Sequence, residues 1–239
     1  MSKNRAVLLK TALLFSLSLL GGVIAWAVEL GPVVSSVSSP VSLSTSLATS
    51  KRLVALISDR EVKAVASLNE LPVTPPRPLL TQYAFETSMF VKASIERTKA
   101  GMTNYRIYVE KVPFVEKADF NRQKNQLWIE GGVWKYYLRS LVQFTEVSPT
   151  VIKYEIILGH FQGLKGEMVF TQISEGLTLG PGKGQVKEPG TLVSFSGGLT
   201  SSGQWPPKLI VTKGAEIVFE FTGRRMREFL EDTKKEVNP

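Results

Sequence analysis

Most of this chain is written with a hydrophobic period of two, and only its end changes to the period of a helix. Tyr83, Phe85, Thr87, Met89 and Val91 alternate with Ala84, Glu86, Ser88 and Lys92. Side chains two apart share a face of an extended chain, so this segment predicts a half-buried strand. Ser94 suits the cap of a short helix running through Ala100 and closed by Gly101, and Thr103 to Val109 suits a second. Alternation returns after Pro113, with Phe114, Ala118 and Phe120 in one strand and Leu127 and Ile129 in another. It is clearest from Val133 to Glu146. Trp134, Tyr136, Leu138, Ser140, Val142 and Phe144 take one face; Lys135, Tyr137, Arg139, Gln143 and Thr145 take the other. So regular a pattern belongs to an antiparallel strand with one wet face. Ile152, Tyr154, Ile156 and Leu158 then oppose Lys153 and Glu155. Further strands are predicted at Glu167 to Ile173 and Thr191 to Ser196, separated by the Gly/Pro/Lys loop from Gly176 to Gly190.

The last stretch, Trp205 to Glu236, has the other period. Ala215, Val218, Phe219, Thr222, Met226, Phe229 and Leu230 fall at three- and four-residue steps, which gathers them on one face of a helix. Pro206 and Pro207 suit the approach to its start, and Glu220–Arg224 and Glu231–Lys235 are favourable pairs four apart. Gly223 weakens the helix by about 1 kcal/mol against alanine. The order strand, two short helices, run of strands, long helix predicts an α+β fold. In it a curved antiparallel β-sheet wraps around the long C-terminal α-helix.

Ahead of this lies a different composition. Lys3, Arg5 and Lys10 precede an apolar run from Thr11 to Val28, and Ala25-Trp26-Ala27 places small residues at a cleavage site. These features predict a signal peptide over 1–27 and an exported, periplasmic or extracellular protein, the alternative being an uncleaved membrane anchor. Residues 28–78 divide into a Ser/Val/Thr linker and a lead-in with a short helix around Leu53–Ile57 and a strand at Glu61–Leu68. Pro72, Pro75, Pro76 and Pro78 mark a boundary, and the domain proper is expected over 79–236. The net charge of +8 is scattered rather than blocked, which argues against nucleic acid and allows a transient contact with anionic membrane surfaces. Cysteine is absent, which removes disulfides, thiol catalysis and thiolate-held metal.

In element order the chain resembles the START-like (SRPBCC, helix-grip) superfamily of polyketide cyclases, coenzyme Q-binding proteins and lipid-transfer domains. The carrying residues are Val91-Lys92-Ala93-Ser94-Ile95-Glu96 after the first strand and Gly159-His160-Phe161-Gln162-Gly163-Leu164-Lys165-Gly166 between two strands. Met226-Arg227-Glu228-Phe229-Leu230 ends the terminal helix. Ser94 and Thr98 stand near where the superfamily usually has a proline and a tryptophan or tyrosine. The resemblance covers about Thr81 to Glu236. It implies a cavity between sheet and helix that holds an apolar ligand, and no shared catalytic set.

Chemistry-bearing residues are few. His160 is the single histidine, at a strand end, where a turn or hydrogen-bonding role is the ordinary one. No metal or other cofactor is expected. Gly180-Pro181-Gly182-Lys183-Gly184 lacks the spacing and the following helix of a phosphate loop, and suits a mobile loop near a cavity mouth. Among Glu116, Glu130 and Glu155, strand phase leaves only Glu116 as a candidate inward acid, against the plainer role of a sheet-edge residue. The aromatic set Trp128, Trp134, Tyr136, Phe144, Tyr154 and Phe170 fits either a packed core or a pocket wall, since buried Tyr and Trp need polar partners. Candidate ligand contacts are Trp134, Tyr136, Phe144, Tyr154, Ile156 and Phe170 from the sheet, and Val218, Thr222 and Met226 from the helix. These point to a domain binding a lipid or other hydrophobic small molecule. The alternatives are a cyclase- or hydrolase-like enzyme using the same cavity, or an interaction module with a collapsed cavity that docks through Gly176–Gly190.

Overall fold

The alternating segments form the strands β1 (Val62–Leu71), β2 (Leu80–Val91), β3 (Val115–Asn121) and β4 (Gln126–Val133). They continue as β5 (Tyr136–Ser148), β6 (Val151–Gly159), β7 (Lys165–Ile173) and β8 (Gly190–Ser201). The helices are α1 (Ser50–Ile57), α2 (Ile95–Thr103), α3 (Ile107–Lys111) and α4 (Lys208–Glu231). The computed structural model describes residues 50–72, 80–112, 114–133, 136–179, 184–203 and 205–232. The expected leader and the loop centre Gly180–Lys183 lie outside these residues, as does Trp134.

The strands make one open, curved, antiparallel sheet in the order β1-β2-β8-β7-β6-β5-β4-β3. The helix α4 lies across its β1–β2 side. Ser94 caps α2, its side chain accepting from the Arg97 N–H, as its position predicts. The helix runs on to Thr103, so Gly101 sits inside it and is buried rather than closing it. The polar face of α4 carries the expected Glu220–Arg224 pair at 3.2 Å. At its far end Glu231 accepts the backbone N–H of Lys92 at 2.8 Å and pairs with Arg60, fastening the helix to the turn before β1; its expected partner Lys235 lies outside the described residues.

Five sequence expectations change. The boundary at residue 79 falls between two paired strands: Val62–Leu71 is hydrogen-bonded along its length to β2. The polar face of β2 is not wet either, because α1 and the residues before β8 cover it. Leu56, Ile57, Phe90, Ile173, Leu179 and Val186 form a small core there, and Glu86 is 3% exposed beside Arg52 at 3.8 Å. Burial raises the Glu86 carboxyl, partly offset by Arg52. The flanks of the Gly176–Gly190 loop thus pack on the outer face of the sheet, away from the cavity. Glu116 keeps its plainer reading as a sheet-edge residue: β3 is an edge strand with a bulge between Val115 and Lys117, and the side chain is exposed. A second bulge, at Ile157, flips the phase of β6, so Leu158 faces solvent. Leu138 is 40% exposed, since β6 ends opposite Ser140 and leaves that end of β5 without a neighbour on one side.

Candidate functional site

Because α4 rests on β1 and β2, the other half of the concave face has no long helix against it. The short helices α2 and α3 reach over that half, and a cavity of about 390 Å³ remains between them, the sheet and α4. Its C-terminal end is closed by Met226, Phe229 and Leu230 packed with Val62, Met89 and Val193. The walls are almost entirely apolar. β2 contributes Tyr83, Phe85 and Thr87; Met102 comes from α2, Tyr105 from the turn after it and Tyr108 from α3; Phe161 comes from the β6–β7 turn. Among the described residues no charged side chain lines it.

Of the sequence-nominated residues, the structure brings Phe144, Tyr154, Ile156, Val218, Thr222 and Met226 together in the wall. Phe170 lies elsewhere, buried in the closed core with Met89 and Met226. The side chains of Trp134 and Tyr136 lie outside the described residues. His160 sits in the β6–β7 turn, where its Nδ1 accepts the Arg139 N–H at 3.0 Å. Trp128 and Glu130 are on the outer face, with the indole Nε1 donating to Glu130 at 2.6 Å.

The polar atoms of the wall separate into two kinds. Tyr154 Oη donates to the Ser196 carbonyl at 2.8 Å, and Tyr108 Oη to the Met102 carbonyl at 2.9 Å. Tyr154 reaches Ser196 by lying over Gly166 and Gly197, a cross-strand pair with no side chain to block the ring. The hydroxyls of Tyr83 and Tyr105, by contrast, have no hydrogen-bond partner among the described residues. Neither does that of Thr222, although Thr212 in the same helix bonds back to Lys208. Thr87 Oγ1 is likewise buried without a partner. Desolvation raises all four phenols above their ordinary range, so each holds its proton at neutral pH.

Sequence reasoning passed over Tyr83, Phe85, Tyr105, Tyr108 and Phe161. Tyr83 and Phe85 lie on the face that alternation already turned inward. Tyr105 and Tyr108 sit three apart, one before and one inside the five-residue helix α3, where periodicity is weak. Phe161 stands at φ 60°, a left-handed conformation uncommon for a bulky residue, and its ring meets Tyr83 at 6.2 Å and Trp205 at 6.2 Å. Its place between Gly159 and Gly163, both at positive φ, was the available signal.

The element order, the open curved sheet and the long helix across it define a START-like, helix-grip α+β fold built around an apolar cavity. Similar solved structures include a START superfamily protein from Mycobacterium smegmatis, at 14% identity and TM-score 0.46, covering 62% of this chain and 97% of that one. A STAR-related lipid transfer protein from Xanthomonas axonopodis is similar at 11% identity and TM-score 0.46, covering 69% and 98%. The di-domain ARO/CYC BexL from the BE-7585A biosynthetic pathway is similar at 14% identity and TM-score 0.43, covering 66% and 51%. No family model and no curated protein matches the sequence.

Proposed function

We propose that the chain is an exported, non-enzymatic domain that holds a lipid or another hydrophobic small molecule between its sheet and α4. The observation that carries this is the 390 Å³ cavity itself, walled by apolar side chains. Cavities left in packed cores cost about 24 cal/mol per Å³. This one is partly open, so the full figure does not apply, but without a guest its apolar wall still forgoes the packing contacts that fill other cores. Apolar walls with a few placed hydroxyls are the usual make-up of a small-molecule site. Among the described residues the wall offers no carboxylate, amine or imidazole, and neutral phenols are weak acids and bases at pH 7. That favours holding a ligand over transforming it.

Native mass spectrometry of the protein purified from its own host tests the proposal. A co-purifying hydrophobic molecule, released by organic extraction, is expected; an unliganded mass together with no uptake from a broad lipid panel would overturn it. Export rests on Lys3, Arg5, the apolar run and Ala25-Trp26-Ala27. It predicts a mature N-terminus at Val28, checked by intact mass of the exported form. The positive charge suits brief contact with an anionic membrane surface, where such a ligand is collected or delivered.

A further inference from the structure

Tyr83 and Tyr105 are each 5% exposed, and both line the cavity. Their hydroxyls lack partners among the described residues, although two neighbouring phenols in the same wall are satisfied by backbone carbonyls. Neither hydroxyl is a sealed atom, so each opens onto the cavity with a proton to donate and no acceptor among the described residues to take it. Water finds few partners there, since a well-held one needs about two to four polar contacts and this wall is almost entirely apolar. Each hydroxyl is carried by a ring set among other rings: Tyr83 beside Phe85 and Trp205, Tyr105 beside Phe120 and Phe144. What the wall offers a guest is therefore hydrogen-bond donation without charge.

Resting on the proposal that the cavity holds a hydrophobic molecule, we infer that this molecule is electrically neutral and carries a carbonyl oxygen that accepts from Tyr83 or Tyr105. An ionised carboxylate or phosphate buried here would meet no cation among the described lining residues, and an unpaired buried charge is strongly disfavoured. The volume lies toward the lower end of the roughly 300–1,000 Å³ of small-molecule pockets, which suits one chain or one ring system rather than a two-chain lipid. Esters, ketones and quinone-like compounds are the class that combines these properties. Free fatty acids and phospholipid headgroups are excluded from the interior.

The test uses the neutral probe N-phenyl-1-naphthylamine as a fluorescent reporter. It is displaced by three compounds of similar length at about pH 8: methyl decanoate, decanoate and undecane. Methyl decanoate is expected to displace it best, and decanoate at least about a hundredfold more weakly. In the double variant Tyr83→Phe/Tyr105→Phe, the ester should weaken by about tenfold while undecane is unchanged, because only the donated hydrogen bond is lost. The thermal midpoint of that variant should not fall, since neither hydroxyl has a partner to lose. Decanoate binding as tightly as its ester overturns the neutral-ligand inference and leaves the cavity reading standing. A variant that unfolds more readily, or binds the ester as the wild type does, overturns the role of the hydroxyls. Failure of the reporter and all three compounds to bind wild type removes the cavity reading and this inference with it.

Discussion

The position of Tyr154 depends on two glycines, and that dependence can be measured. Its ring forms part of the cavity wall and lies over Gly166 and Gly197, which face each other on β7 and β8. A Cβ at Gly197 overlaps Tyr154 Oη and comes within 3.0 Å of Phe85 Cε1. Gly197→Ala should therefore cost about 1–3 kcal/mol in overpacking, plus about 1 kcal/mol as the displaced hydroxyl loses Ser196. Tyr154→Phe alone should cost about 1 kcal/mol. In the double variant the overlapping oxygen is gone, so the total should be lower than for Gly197→Ala alone, a coupling of about 1–2 kcal/mol. Gly166→Ala makes the control. Its Cβ overlaps Tyr154 Oη as well, but it also meets the Ser196 carbonyl and comes within 2.5 Å of Tyr154 Cζ, atoms that remain when Tyr becomes Phe, so relief there should be smaller. Urea unfolding of these four variants, the Gly166→Ala/Tyr154→Phe double variant and wild type supplies both cycles. Simple additivity at Gly197, or equal relief at Gly166, would refute this placement of the ring.

Three further outcomes follow from the packing. Gly223→Ala should lower stability by about 1 kcal/mol despite the similar gain in helix propensity, because the new Cβ lies 2.7 Å from Val62 Cγ1; a raised thermal midpoint would contradict the close approach of α4 to β1. Leu138→Lys should stay within about 0.5 kcal/mol of wild type by denaturant unfolding, as befits a side chain 40% exposed at an unsupported strand end. Desolvation raises the phenols of Tyr83, Tyr105, Tyr108 and Tyr154 above the ordinary value of 10.0. The folded state keeps protons that the unfolded chain releases, so this contribution is complete below pH 10 and is lost as pH climbs above it. Alkaline titration should show these phenolates appearing together with unfolding; their ionisation in a protein still folded would refute their burial.

Period alone made much of this fold legible. Alternation placed β5 and β6, and the three- and four-residue steps placed α4 and put Val218, Thr222 and Met226 on one face. What period cannot show is a change of phase inside a strand. The bulges at Glu116 and Ile157 each add a residue, and neither leaves a Gly or Pro to mark it. Prolines after Leu71 stop an element without revealing whether the next joins the same sheet, so β1 was set apart from the strand it pairs with. Gly197 and Gly198 read as the end of a strand, whereas β8 runs through them to Ser201. Gly197 is there to leave room for the Tyr154 ring. The candidate site was half legible for a related reason. Strand phase identifies which aromatics face inward, but whether a tyrosine hydroxyl finds a carbonyl, as in Tyr154, or none, as in Tyr83, is settled by strands distant in sequence.

The proposed function requires that the space between α4 and the sheet take up a ligand rather than close by packing. Val218 lines that space from the helix, so Val218→Trp extends a large ring into it. Thermal unfolding and titration with N-phenyl-1-naphthylamine on the same samples give the decisive comparison. The variant should keep a midpoint close to wild type while its uptake of the probe is lost. A strongly lowered midpoint, as overpacking of a closed core by about 1–3 kcal/mol produces, beside a wild type that takes up no probe, would contradict it.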